Sequence, residues 1–84
     1  MQRRKATRSA GRGGRPSRAD ALRLRQRILE VAAALFFAEG YASTTIEAVA
    51  ARAGISKRTF YHRFDGKAEL FAAVVHEIIQ RIRP

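Results

Sequence analysis

Between positions 56 and 63 the chain reads Ser-Lys-Arg-Thr-Phe-Tyr-His-Arg, a run in which every side chain except Phe60 can donate a hydrogen bond. Wound as an α-helix at about 100° per residue, the run places Phe60 and Phe64 on one face and Arg58, Thr59 and His62 opposite, with Lys57 and Tyr61 on a flank. Donors fanned outward from an aromatic anchor suit a polyanion with readable edges. Arg bonds guanine bidentately, Lys reaches the same edge or a phosphate, and Thr, Tyr and His donate to phosphate oxygens or touch a thymine methyl. Covalent chemistry finds no comparable support, because the chain has no His-Glu-x-x-His, no Gly-x-x-x-x-Gly-Lys-Ser/Thr loop, no Gly-x-Ser-x-Gly elbow and no cysteine nucleophile. His76 has no second ligand nearby, so neither a metal nor any other cofactor is expected.

Such a run must be held rigidly, and the flanking sequence supplies the means. Ile46, Val49, Ala50 and Ala53 have helical spacing, Gly54 offers the positive φ of a sharp helix stop, and Ser56 can cap the next helix. Residues 45–64 therefore read as a helix-turn-helix, whose second helix enters the major groove of duplex DNA. Thr44 and Glu47 have capping-box spacing, which predicts a second helix from about Thr44 to Ala53 and a third from Ser56 to about Phe64. Upstream, Leu24, Ile28, Val31, Ala32, Leu35 and Phe36 predict an amphipathic first helix from Asp20, ended by Gly40 with Tyr41 folding back onto its last turn. Downstream of Asp65-Gly66, a fourth helix carries a broad apolar face from Leu70 to Ile82. The expected fold is all-α: a three-helix DNA-binding bundle plus a linking fourth helix, with Phe36, Phe37, Phe60, Phe64 and Phe71 in the core. Thr44 and Thr45 at the start of the second helix, and Lys67 at the start of the fourth, stand where free amides and the helix dipole favour a phosphate.

The charge agrees with an anionic partner. The 84 residues carry a net charge of +10 and a pI of about 11.6. Seven of the seventeen Lys and Arg fall in the first eighteen residues, with no acidic residue among them. Residues 1–19 hold almost nothing to bury and are expected to form a disordered basic arm. Gly11-Arg-Gly-Gly-Arg-Pro16 exceeds by one glycine the pattern of an Arg hook for the A·T minor groove, so phosphate binding is the reading, with Arg15 and Arg18 nearest the duplex. The same arm, with the amphipathic fourth helix, leaves a second class open: a basic peptide for RNA or an anionic surface. The absence of cysteine fits a reducing compartment, and no run approaches the roughly 18 apolar residues of a membrane span, so a cytoplasmic protein is expected.

Gly40-Tyr41, Thr44-Thr45-Ile46, Ala50, Ala53-Gly54-Ile55-Ser56-Lys57, Tyr61-His62-Arg63-Phe64 and Lys67-x-Glu69-Leu70-Phe71, in this order and spacing, resemble the DNA-binding domain of the TetR (tetracycline repressor) family. The resemblance covers roughly residues 24–84. It implies Lys57, Arg58 and Tyr61 at or near base edges, Thr59, His62 and Arg63 nearer the backbone, and Lys67 at a phosphate. Gly66 departs from the Ser or Thr common before that Lys, so capping there falls to Asp65 or to Gly66 without a side chain. The resemblance further implies a homodimer on a palindromic operator, most often repressing, and a C-terminal domain that dimerises and binds a small molecule. Val75, Ile78, Ile79 and Ile82 extend an apolar face that three small helices cannot cover, as expected if the chain is the reading head of a larger regulator.

Overall fold

A computed structural model describes residues 17–83, which form four helices: α1 (Arg18–Glu39), α2 (Ile46–Ala53), α3 (Lys57–Tyr61) and α4 (Lys67–Ile82). No strand occurs among the described residues. α1 is the spine, packing on α2 and on α4, while α3 reaches the bundle through α2. α1 and α4 run antiparallel, since Phe36 meets Phe71 with ring centroids 5.2 Å apart while the earlier Glu30 faces the later Arg81.

The elements start and stop where local chemistry dictates. α1 begins at Arg18, two residues before the expected Asp20, because Ser17-x-x-Asp20 is itself a cap: the Ser17 hydroxyl accepts from the Asp20 backbone N–H. Arg18 therefore belongs to the folded domain and not to an arm, and residues 1–16, with Arg15, lie outside the described residues. At the other end Gly40 has φ 89° and ψ 159°, a conformation reached in practice only without a Cβ. Its N–H donates to the Phe36 carbonyl, and the Tyr41 ring folds back to stack on Phe36 at 5.6 Å, as the sequence predicts.

The core forms where the helices converge. Ile28 and Ala32 from α1, Val49 from α2, Leu70 from α4, and Phe60 in α3 are fully enclosed, with Phe64 just beyond α3 almost as deep. Burying each large side chain contributes about 1.5–3 kcal/mol relative to leaving it exposed. Phe37 is the exception to the expected aromatic core. It follows Phe36 by about 100° of helix, which turns it off the buried face, and it is 94% exposed. Phe71 is only partly covered, completing an edge-on aromatic cluster with Phe36 and Tyr41.

Gly54, the pivot between α2 and α3, sits in the left-handed region at φ 77°, ψ 32°. Its N–H donates to the Ala51 carbonyl, and the Ile55 N–H to that of Ala50 at 2.9 Å, which closes the end of α2. A Cβ there would meet nothing within 4 Å, so the cost of a side chain is purely conformational. Gly54→Ala is expected to destabilise the domain by roughly 1–2 kcal/mol, and Gly54→Asn by less, because Asn tolerates the left-handed region. Chemical denaturation of the three proteins checks this ordering.

Candidate nucleic-acid interface

Two aromatic rings fix how α3 presents itself. Phe60 and Phe64 stack with centroids 5.4 Å apart on the inner side, and Tyr61 meets the Phe60 ring edge-on. The Ser56 hydroxyl caps the helix, accepting from the Thr59 N–H at 3.0 Å and donating to the Thr59 hydroxyl at 3.1 Å. Lys57, Arg58, Tyr61 and His62 are left outward and exposed, four donors on one surface.

α3 is shorter than the sequence suggests. Its regular turns stop at Tyr61, and the His62 N–H is shared between the Arg58 and Thr59 carbonyls, a tightened last turn. Thr59, expected outward, is half-buried, and so is Arg63. Thr59 spends its hydroxyl oxygen on Ser56, and the Arg63 Nε is enclosed without a hydrogen-bond partner.

The start of α2 also differs from expectation. Thr45, not Thr44, is the cap, accepting from the Ala48 N–H at 3.0 Å. Thr44 is 2% exposed and donates its hydroxyl to the Gly40 carbonyl at 2.8 Å, which removes it from any DNA-facing surface. Thr45 remains exposed beside the first turn of α2. α4 opens with Gly66 as a cap that lends no side chain, while Glu69 reaches back to accept from the Asp65 N–H. The Lys67 ammonium crosses to the 41–44 loop and donates to the carbonyls of Tyr41 (2.8 Å), Ala42 (3.4 Å) and Thr44 (2.9 Å), above the Tyr41 ring. Its donors are thus directed into the protein, and they tie the start of α4 to the start of α2.

The family model for bacterial regulatory proteins of the tetR family matches residues 28–74, which spans the later part of α1, α2, the Gly54 turn, α3 and the first half of α4. The chain belongs to the TetR family. Among curated relatives, the HTH-type transcriptional regulator SrpR of Pseudomonas putida is 36% identical over 61 residues, which cover 73% of this chain and 29% of SrpR. AcrR of Shigella flexneri, an HTH-type transcriptional regulator, is 35% identical over 60 residues, covering 71% of this chain and 28% of AcrR. The HTH-type transcriptional activator FasR of Mycolicibacterium smegmatis is 32% identical over 81 residues, covering 96% of this chain and 37% of FasR. The chain thus spans less than half the length of these regulators. No solved structure matches it. The relatives are named as HTH-type transcriptional regulators. Among the described residues there is no group of three potential metal ligands, and no helix is long and apolar enough to cross a membrane.

Three pairings in this TetR-family domain escape sequence reading. Arg27 donates its Nε to the Ala53 carbonyl at 3.0 Å, satisfying the end of α2. Arg25 lies over the Phe64 ring at 5.3 Å and brings an exposed cation from α1 to the segment that follows α3. Glu47, in the first turn of α2, accepts from the Lys57 ammonium at 3.1 Å. Its carboxyl is held below the ordinary carboxylate range, first by its own backbone N–H and then by Lys57. Asp20 is likewise lowered, chiefly by its bond from Arg23 and then by Ser17. No local spacing in the sequence links 47 to 57, 27 to 53 or 25 to 64; each pair meets only because the helices cross.

Proposed function

We propose that this TetR-family domain binds duplex DNA sequence-specifically by laying α3 in the major groove. The observation that carries the reading is the division of α3 into two disjoint sets: Phe60 is sealed in the core with Phe64 behind it, while Lys57, Arg58, Tyr61 and His62 stand together in solvent. Lys57, Arg58 and Tyr61 are assigned to base edges. His62, Thr45 and Ser56, with the half-buried Thr59 and Arg63 beside them, are assigned to the phosphate-facing margin, and Arg18 at the exposed start of α1 to a flanking phosphate.

In the whole protein we assign the exposed apolar face of α4, where Ile78 and Ile79 are about half exposed and Ile82 is 74% exposed, to packing against a part that dimerises the regulator and binds a small molecule. Two heads then engage a palindromic operator in the cytoplasm, and ligand binding alters their separation and so the fit to paired half-sites. The effect on transcription is assigned as repression, since a dimer seated in a promoter's grooves obstructs polymerase. One relative bears the name activator, so a promoter reporter with and without the regulator is the measurement that decides the sign.

Replacing Lys57 or Arg58 by Ala is expected to weaken operator binding by roughly 1–3 kcal/mol and to relax preference at one base pair. Titration of the selected duplex at fixed salt, with random duplex and RNA as competitors, checks it. Unchanged binding by both variants, or equal competition by RNA, overturns the assignment of α3.

A further inference from the structure

The Glu47–Lys57 ion pair is out of place on a surface that meets DNA. Lys57 is the first residue of α3 and Glu47 the second of α2, both are exposed, and the Glu47 carboxylate cancels the cation best placed to attract phosphate. Exposed ion pairs add little to stability. The place of Glu47 in the first turn of α2 suits the helix dipole, but that role needs no contact with Lys57, and phosphate attraction would be stronger without the carboxylate.

Base reading accounts for the contact. In the major groove cytosine offers the N4 amino donor and guanine the O6 and N7 acceptors. Within one G·C pair, O6 and N4 are hydrogen-bonded to each other, about 2.9 Å apart. The Lys57 Nζ and the Glu47 carboxylate oxygen are separated by 3.1 Å, so the pair presents a donor and an acceptor at nearly the same spacing. With one ammonium N–H in the ion pair, two remain for O6 and N7, and the carboxylate keeps lone pairs for N4–H. The geometry points to Glu47 as a specificity-determining residue that, with Lys57, reads one G·C base pair: the carboxylate accepts from cytosine N4 while the ammonium donates to guanine. A carboxylate accepts only, so it repels the O6 and N7 of a guanine or the O4 of a thymine placed opposite it. α2 thereby contributes to readout beside α3. The inference rests on the groove-bound α3 proposed above.

Binding-site selection with the intact protein and with its Glu47→Ala and Glu47→Gln variants tests it, with helicity and melting compared to verify that all three fold. The wild type is expected to select cytosine at one half-site position. Glu47→Ala should accept any base there, losing about ten-fold or more of discrimination, and Glu47→Gln should shift the preference to adenine, whose N6 and N7 fit an amide bidentately. Both variants should bind random duplex more tightly than the wild type, and 7-deazaguanine opposite the selected cytosine should weaken wild-type binding. If the wild type yields a half-site and both variants select the same base at every position, Glu47 is a surface ion-pair partner and the inference falls. If the wild type yields no half-site, the DNA-reading function itself fails, which is a different result.

Discussion

Phe60→Ala should leave the domain unfolded or at the edge of unfolding. Phe60 is fully enclosed, stacks on Phe64 and anchors α3 to the bundle. Truncating such a side chain costs about 3–5 kcal/mol, partly lost transfer energy and partly the cavity left behind. A folded unit of this size has little more than that in reserve, since net stabilities start near 5 kcal/mol and small domains lie at the low end. Thermal melting followed by helicity, with Phe37→Ala as the control, checks this. Phe37 carries the same side chain but stands in solvent, so its removal should change stability by less than about 0.5 kcal/mol. Equal effects at the two positions would mean that the burial described for Phe60 is wrong.

Lys67→Met should lower stability and DNA affinity together, without changing the salt dependence of binding. The ammonium joins three carbonyls of the 41–44 loop to the first turn of α4, and that loop sets where Thr45 starts α2. Methionine keeps most of the stem and removes the donors. Water can serve the exposed carbonyls of Tyr41 and Ala42, but that of Thr44 is partly enclosed, so the expected loss is about 1–2 kcal/mol, or several degrees of melting temperature. Lys67→Arg should not restore it, because a planar fork does not converge on three acceptors as an ammonium does. The alternative, in which Lys67 binds phosphate directly, gives the opposite pattern: unchanged melting and a log-log salt slope shallower by roughly 0.9 for each phosphate that is no longer neutralised. Melting and a salt titration of the same variant separate the two.

The turns were legible because glycine leaves few alternatives: Gly40 and Gly54 both adopt the positive φ that their places between helical runs demand. The aromatic anchor was legible from the four-residue spacing of Phe60 and Phe64. Starts of helices were less so. Thr44 and Thr45 are equally good caps by composition, and what decides between them is that the Thr44 hydroxyl turns inward to the Gly40 carbonyl, a tertiary fact. Ser17 was hidden by its basic neighbours, although its spacing to Asp20 carries the signal. In the candidate site, helical winding gave the exposure of Lys57, Arg58, Tyr61 and His62. It did not give Thr59, which is half-buried with its hydroxyl bonded to Ser56, nor Arg63, whose Nε is enclosed, because charge and polarity alone do not show which donors the bundle covers. Lys67 and Glu47 were beyond reach for another reason: their partners lie 26 and 10 positions away.

α3 spans five residues, too few to persist in isolation, so its shape is borrowed from its surroundings. The residues that lend it, Gly54, Phe60 and Phe64, are different from those proposed to read DNA. Substitutions at Lys57, Arg58 and His62 can therefore accumulate at little thermodynamic penalty, and a duplicated copy of such a regulator is free to drift toward a new operator while its scaffold stands still.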